Sequence, residues 1–356
     1  MKKISSIELL RFISSFMILV WHYQQFYLPY NSFSEVELLL NNKSIQPFYS
    51  VLSLFYIYGD LGVEIFFAIS GYVFSYVYLQ NTKKISFKVF SINRLARLYP
   101  LHFLTLIIIL CLQLYSFDRY DVFLIYQLND LYHFILNLFF ISGWGFQIGP
   151  SFNGPIWSVS VEIIIYLVFF LCILKVDKNK FIYSLLILLI FILFKKFPLI
   201  NNFFTQINFE KQIINCGILF FEGVIVHFIF KKFNNTSSLI VGVLILTLAM
   251  IGNFKLYIFV PGLLMVFLSF ERYLNNRIKI YFNFFGNLTY GLYLWHLPVQ
   301  ISLIILMKAN NINFNVILND SFFILYLVLV FLISTISFFF FEKKVRDKIK
   351  IFYTRY

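Results

Sequence analysis

Apolar runs long enough to approach the thickness of a lipid bilayer recur along almost this whole sequence, and they restrict it to few folds. The runs lie at about residues 7–28, 60–80, 99–116, 155–174, 181–194, 213–230, 238–251, 256–270, 284–307 and 321–341. About 20 consecutive apolar residues match one membrane-spanning helix. We therefore predict an all-α integral membrane protein with about ten transmembrane helices, folded as a single transmembrane domain over residues 1–356.

The composition agrees with a membrane protein. Hydrophobic residues make up 60% of the chain and charged residues only 13%, which is far from the composition of soluble domains. Because the basic residues that give the net charge of +13 follow the ends of the spans, we expect membrane lipids as partners and no nucleic acid. Cys111, Cys172 and Cys216 stand alone inside apolar runs, so we expect neither a disulfide framework nor a metal site.

The distribution of Lys and Arg predicts which span ends face the cytoplasm. An eleventh apolar run begins at Leu131 and is ambiguous. If this run does not cross and the N-terminus is cytoplasmic, 22 of the 29 basic residues are cytoplasmic, whereas a crossing would leave 13 there. Because cytoplasmic loops carry an excess of basic residues, we predict that residues 131–142 stay near the outer interface. Both termini are then cytoplasmic.

Arg11 and His22 lie within the first span, ELLRFISSFMILVWHYQQFYL. Eleven residues make about three helical turns, so the two side chains share one helix face and are about 16 Å apart. Ionisable residues at membrane depth are candidates for function. The alternative for Arg11 is contact with lipid phosphates or with Glu8, one turn earlier. For His22, the alternative is an interfacial position.

Three carboxylates are predicted toward the outer side of the membrane. Asp60 and Glu64 are four residues apart at the start of the second span, and Glu162 lies about two turns into the fourth. A carboxylate at this depth needs a partner. For Glu64 we expect His22 or a group on another helix. For Glu162 we expect His22 if the helices adjoin, or neighbouring Ser and Tyr groups.

Arg94 and Arg97, in KKISFKVFSINRLARLYP, are three residues apart and share one face of a predicted short helix at the cytoplasmic surface. Two guanidinium groups in this arrangement can bind phosphates in a bidentate manner. The alternative is the ordinary cytoplasmic excess of basic residues, with contacts to lipid headgroups.

The ninth span, FFGNLTYGLYLWHLPV, carries Tyr290, Tyr293 and His296 at three-residue spacing. They form a polar stripe on an otherwise apolar helix, where His296 is either a buried core histidine or a catalytic one. The sequence lacks a Gly-rich phosphate motif, zinc-ligand spacing and a serine-nucleophile elbow. Any catalysis is therefore expected to use histidine and carboxylate groups.

Together these segments resemble the acyltransferase 3 family of multi-pass membrane acyltransferases, from Glu8 to about Arg346. The resemblance rests on five pieces in the family's order. They are Arg11 with ten residues between it and His22, GVEIFFAISG, RLARLYP with Arg94 and Arg97, IWSVSVE ending at Glu162, and LTYGLYLWH ending at His296. The family usually has Asp where this chain has Glu64. With no SGNH-type hydrolase domain after the last span, the chain resembles the stand-alone form.

The resemblance implies an O-acyltransferase of the bacterial cytoplasmic membrane. Such an enzyme moves an acyl group, commonly acetyl from acetyl-CoA, to a hydroxyl of an extracytoplasmic glycan or lipid-linked sugar, such as a lipopolysaccharide or exopolysaccharide. Arg11, Arg94 and Arg97 would then bind the donor, without any metal. A transporter or exporter of an anion or glycolipid, without covalent chemistry, is the alternative.

For catalysis, the resemblance implies that His22 is the general base, or that it carries the acyl group itself. Glu64 or Glu162 would orient the imidazole and stabilise its cation. Tyr290, Tyr293 and His296 would support the site or contact the substrate.

Overall fold

The computed structural model describes residues 3–27, 45–79, 85–176, 178–197, 210–233, 235–252 and 256–354. Over these ranges the protein is built of helices and contains no strand. The helices are α1 Ser5–Tyr23, α2 Tyr49–Tyr58, α3 Leu61–Tyr78, α4 Phe87–Tyr120, α5 Leu131–Leu138, α6 Trp157–Phe169, α7 Lys180–Lys196, α8 Glu210–Lys232, α9 Asn235–Ile251, α10 Phe259–Phe270, α11 Asn276–Ala309, α12 Asp320–Ser337 and α13 Lys343–Thr354. The predicted all-α class is confirmed.

Six helical segments of the described ranges are both long enough and apolar enough to span a membrane. They are Leu61–Tyr78, Phe87–Tyr120, Gly154–Leu174, Lys211–Lys232, Asn276–Ala309 and Asp320–Tyr353. The other four predicted spans correspond to α1, α7, α9 and α10, of 19, 17, 17 and 12 residues. At about 1.5 Å per residue, a 12-residue helix covers only about 18 Å of the hydrocarbon core. The total of ten spans and the sides of the termini therefore stay predictions.

The ambiguous run at Leu131 forms only a short helix. α5, Leu131–Leu138, has eight residues, about 12 Å in length, and is too short to cross. Asp130 caps its N-terminus, since one carboxylate oxygen accepts a hydrogen bond of 2.8 Å from the backbone N–H of His133. This bond holds the pKa of Asp130 below its usual value.

Helix α3 is packed on both sides by close backbone contacts at two glycines, Gly62 and Gly71. A Cβ atom on Gly62 would lie 2.4 Å from the carbonyl oxygen of Ser14 on α1. A Cβ atom on Gly71 would lie 1.8 Å from the carbonyl oxygen of Phe220 on α8. Close helix packing through small residues is typical of membrane bundles. These contacts fix α3 between α1 and α8.

Helix α1 also packs along α11, and α11 in turn contacts α4 and α12. The C-terminal helix α13 lies against α4. The polar residues predicted on α1 and α4 are therefore carried by helices that both pack against α11.

Gly71→Ala is predicted to destabilise the protein by about 1–3 kcal/mol, because the new methyl group meets a backbone atom that cannot rotate away. Gly149→Ala is the matched control, since its Cβ would meet only the flexible Leu128 side chain at 3.0 Å. Thermal unfolding in detergent micelles measures both variants. Equal unfolding temperatures for the two would contradict the tight contact between α3 and α8.

Candidate active site

Two adjoining cavities lie between α1, α3, α4 and α11. The basic cavity has a volume of about 460 Å³, and its lining includes Lys3, Glu8, Glu342, Arg346 and Lys350. The inner cavity, of about 100 Å³, lies deeper, and its lining includes Ser70, Ser158, Glu162, Tyr166 and Tyr293. Four residues line both cavities: Arg11, Arg94, Arg97 and Tyr290. The arginines therefore stand at the junction between a wide polar space and a narrow one.

Arg94 and Arg97 reach the junction from one face of α4, as predicted. The predicted short surface helix is wrong, however, because α4 runs without interruption from Phe87 to Tyr120 and has Pro100 in its interior. Proline interrupts helices less often in membrane bundles, where neighbouring groups satisfy the freed backbone. The arginines thus belong to a long helix, which holds them more rigidly than a surface loop.

Aromatic side chains hold Arg94 in place. Its guanidinium lies 4.1 Å from the centre of the Phe74 ring, and its Nη2 donates a hydrogen bond of 3.4 Å to the Tyr78 hydroxyl. A cation above an aromatic face is stabilised by the ring quadrupole without losing its charge. Arg94 therefore remains available to an anion.

Arg11 forms the ion pair with Glu8 that the sequence raised as an alternative to lipid contact. Nη1 of Arg11 lies 3.2 Å from Oε2 of Glu8. A Cβ atom on Gly286 would lie 2.1 Å from the same oxygen, so the glycine on α11 makes room for the carboxylate. Pairing with Glu8 does not remove Arg11 from the site, because its side chain lines both cavities.

Glu162 faces the inner cavity and the arginines. Its Oε2 accepts a hydrogen bond of 2.6 Å from the hydroxyl of Tyr166, one turn further along α6. Within the described chain its Oε1 is buried and has no hydrogen-bond partner. The alternative partner, a neighbouring Tyr, is confirmed. A contact between Glu162 and His22 does not occur among the described residues.

Tyr290 and Tyr293 connect α11 to neighbouring elements. The hydroxyl of Tyr290 donates to the carbonyl oxygen of Leu98 on α4 at 2.7 Å. The hydroxyl of Tyr293 donates to the carbonyl oxygen of Pro155 at 2.6 Å and lies 2.8 Å from Oγ of Ser158. Tyr290 and Tyr293 thus line the inner cavity and fix α11 against α4 and the start of α6, whereas His296, the third residue of the predicted stripe, is not part of the described lining.

His22 lies beyond the inner cavity and pairs with His296. The two ring centres are 4.7 Å apart, and the His296 ring lies 6.1 Å from that of Tyr293, which lines the cavity. Nδ1 of His22 is 3.0 Å from the carbonyl oxygen of Ile18. Because a carbonyl only accepts, Nδ1 carries the proton and Nε2 is the basic nitrogen. A backbone group, and not a carboxylate, thus orients the imidazole.

Glu64 does not join this arrangement. It is absent from the described linings of both cavities, and its charged neighbours are Asp60 and Lys195. Lys195, which belongs to α7, attracts the Glu64 carboxylate electrostatically. Neither Glu64 nor Glu162 contacts His22 within the described ranges. No contact therefore supports the prediction that one of them orients the His22 imidazole.

Several residues of the site were not predicted from the sequence. Arg346 and Lys350 line the basic cavity from α13, and Tyr166 completes the pair with Glu162. The spacing of four residues between Arg346 and Lys350 was an available signal, since it places both on one helix face. Tyr166 had the same spacing from Glu162.

The fold and the cavities together define a helical membrane protein in which three arginines stand at the junction of two cavities and a pair of buried histidines lies beyond the inner one. A comparison with protein families identifies the class of membrane protein more closely. The acyltransferase 3 family model, described as an acyltransferase domain, matches residues 4–339. The chain belongs to this family and is a membrane acyltransferase, as its resemblance implied. No curated protein and no solved structure matches the chain.

Tyr290→Phe is predicted to destabilise the protein by about 1 kcal/mol, because it removes the hydrogen bond that joins α11 to α4. Tyr281→Phe is the matched control, since Tyr281 is on the same helix and is 64% exposed. Thermal unfolding of both variants in the same detergent is the measurement. An unchanged unfolding temperature for Tyr290→Phe would show that this bond does not hold the two helices together.

Proposed function

We propose that the protein is a membrane O-acetyltransferase of the bacterial cytoplasmic membrane. It transfers acetyl from cytoplasmic acetyl-CoA to a hydroxyl of an extracytoplasmic glycan or a lipid-linked sugar. The observation that carries the proposal is the placement of Arg11, Arg94 and Arg97 at the junction of the two cavities. This arrangement provides separate places for the charged and the reactive parts of an acyl-CoA.

The phosphate groups of the donor occupy the basic cavity. Six basic side chains line it against the carboxylates of Glu8 and Glu342: Lys3, Arg11, Arg94, Arg97, Arg346 and Lys350. Guanidinium groups bind phosphate through paired hydrogen bonds. The excess of positive charge favours a ligand with several negative charges, and coenzyme A is such a ligand.

The acyl group with its thioester enters the inner cavity. Its volume of about 100 Å³ is less than a quarter of the 460 Å³ of the basic cavity. This narrower space suits a two-carbon acyl group better than a long acyl chain. The size of the inner cavity therefore supports acetyl as the transferred group.

His22 acts at the outer end of the path. As general base, its Nε2 takes the proton of the acceptor hydroxyl while the oxygen attacks the thioester carbonyl. The C–S bond then breaks, and the coenzyme A thiolate leaves and takes up a proton. In the second mechanism, Nε2 attacks the thioester first and the acyl-histidine passes its acyl group to the hydroxyl. The path through Tyr293 and His296 is compatible with both mechanisms.

Reconstituted protein tests the function. Liposomes receive labelled acetyl-CoA outside and a hydroxyl-bearing oligosaccharide inside, and both acetyl-CoA turnover and acetylated product are measured. We expect labelled oligosaccharide inside the liposomes. If the label enters the liposomes while acetyl-CoA is not consumed, the protein is a transporter instead. Mass spectrometry of surface polysaccharides from cells with and without the protein identifies the acceptor.

His22→Gln is predicted to lower transfer by about 10²- to 10⁴-fold, because it removes the base while leaving the basic cavity intact. Coenzyme A binding, measured by calorimetry, is expected to be unchanged. His102→Gln is the matched control: this buried histidine donates only to the carbonyl oxygen of Asn137, at 2.8 Å, and a glutamine amide can replace that bond. Full activity of His22→Gln would remove His22 from the mechanism.

Arg94→Gln combined with Arg97→Gln is predicted to raise the KM for acetyl-CoA by roughly 100-fold, with a smaller change in kcat, through the loss of two charge-assisted contacts. Lys88→Gln with Arg119→Gln is the matched control, since it removes the same charge from the two ends of the same helix. Initial rates over a range of acetyl-CoA concentrations separate KM from kcat. An equal KM in both double variants would show that Arg94 and Arg97 belong only to the general cytoplasmic excess of basic residues and do not bind the donor.

A further inference from the structure

A second polar cavity lies beside the basic cavity, on the other side of the start of α1. This lateral cavity has a volume of about 440 Å³ and is formed by the ends of α3, α8 and α10 and the starts of α1, α9 and α11. Lys3 is the one residue common to the described linings of the lateral and basic cavities. The function proposed above makes no use of this space.

Four basic side chains line the lateral cavity: Lys3, Lys231, Arg272 and Lys279. Within its described lining, the one carboxylate is Glu271, and that group is already engaged. Its Oε2 accepts from the backbone N–H of Ser6 at 2.8 Å, and its Oε1 lies 3.0 Å from Nζ of Lys279. Lys3 donates to Asn287, a neutral group. Glu271 therefore offsets one of the four cations, and the cavity keeps a net positive charge.

The remaining wall is aromatic and apolar. Tyr72 and Tyr76 are stacked with ring centres 6.3 Å apart, and the His227 ring meets Tyr72 edge-on at 5.6 Å. Phe230 and Leu268 extend this wall. Cations beside an apolar wall suit a ligand that joins a phosphate to a less polar body.

We infer that the lateral cavity is a second anion site, distinct from the donor site, and that it binds a phosphate group. Two sources share this chemistry: the headgroup of an anionic phospholipid, and a free phosphate-bearing anion. A general excess of cytoplasmic charge would also attract anions, but it would not depend on the shape of a cavity. The inference therefore predicts that both charge and open space are required.

Binding is measured on the full chain in neutral detergent by native mass spectrometry, with phosphatidylglycerol as the probe and phosphatidylcholine, a zwitterion of zero net charge, as the comparison. We expect a bound phosphatidylglycerol that Lys231→Gln with Arg272→Gln weakens by roughly 30-fold. Lys178→Gln with Lys180→Gln removes the same charge on the same predicted side, away from the cavity. This control is expected to bind as the unchanged protein does.

Asn235→Trp tests the need for space, because the larger side chain occupies part of the lateral cavity and every basic residue is kept. We expect this variant to lose the bound lipid as well. Inorganic phosphate added as a competitor distinguishes the sources: displacement at low concentration identifies a free phosphate as the natural ligand, and resistance identifies the lipid.

Equal binding by Asn235→Trp and the unchanged protein would overturn the inference, as would equal binding by the two double variants. The inference is also overturned if neither phosphatidylglycerol nor inorganic phosphate binds. Matching unfolding temperatures establish that every variant is folded. None of these outcomes depends on acetyl transfer, so the second anion site stands or fails separately from the proposed function.

Discussion

The guanidinium groups of Arg11, Arg94 and Arg97 inside an apolar bundle are the constraint on which the rest of the site depends. A charge buried away from water is tolerated only beside compensating groups. Glu8 supplies an ion pair for Arg11, and the Phe74 ring supplies a π-face for Arg94. These partners compensate Arg11 and Arg94 without closing the cavities, so the energetic requirement of folding is met while the arginines still line both cavities.

The sequence predicts the helices well because apolar runs report burial in lipid directly. It also predicts the shared face of Arg94 and Arg97, since helical periodicity places residues three apart together. It does not decide between the two partners predicted for Glu162, because depth along a helix does not determine direction around its axis. Glu162 lies at a depth where His22 was a reasonable partner, yet its carboxylate meets Tyr166 on its own helix.

The contributions of α13 were missed for another reason. Its residues Lys343–Thr354 mix basic and apolar groups, which is typical of a helix at a membrane surface, so the shared face of Arg346 and Lys350 did not by itself indicate a binding site. Only the packing of α13 against α4 brings Arg346 and Lys350 to the basic cavity. A contact between segments about 250 residues apart is a property of the whole fold, which periodicity in one segment does not reveal.

Because Gly286 on α11 leaves space for Glu8 on α1, the two helices are expected to constrain each other during evolution. Glu8 reaches Arg11 only because position 286 has no side chain, and a methyl group there would lie 2.1 Å from the carboxylate. A larger residue at position 286 would displace Glu8 and leave Arg11 with its charge uncompensated. Positions 8, 11 and 286 are therefore expected to change together among related sequences, so that the charge of the basic cavity is inherited as a unit.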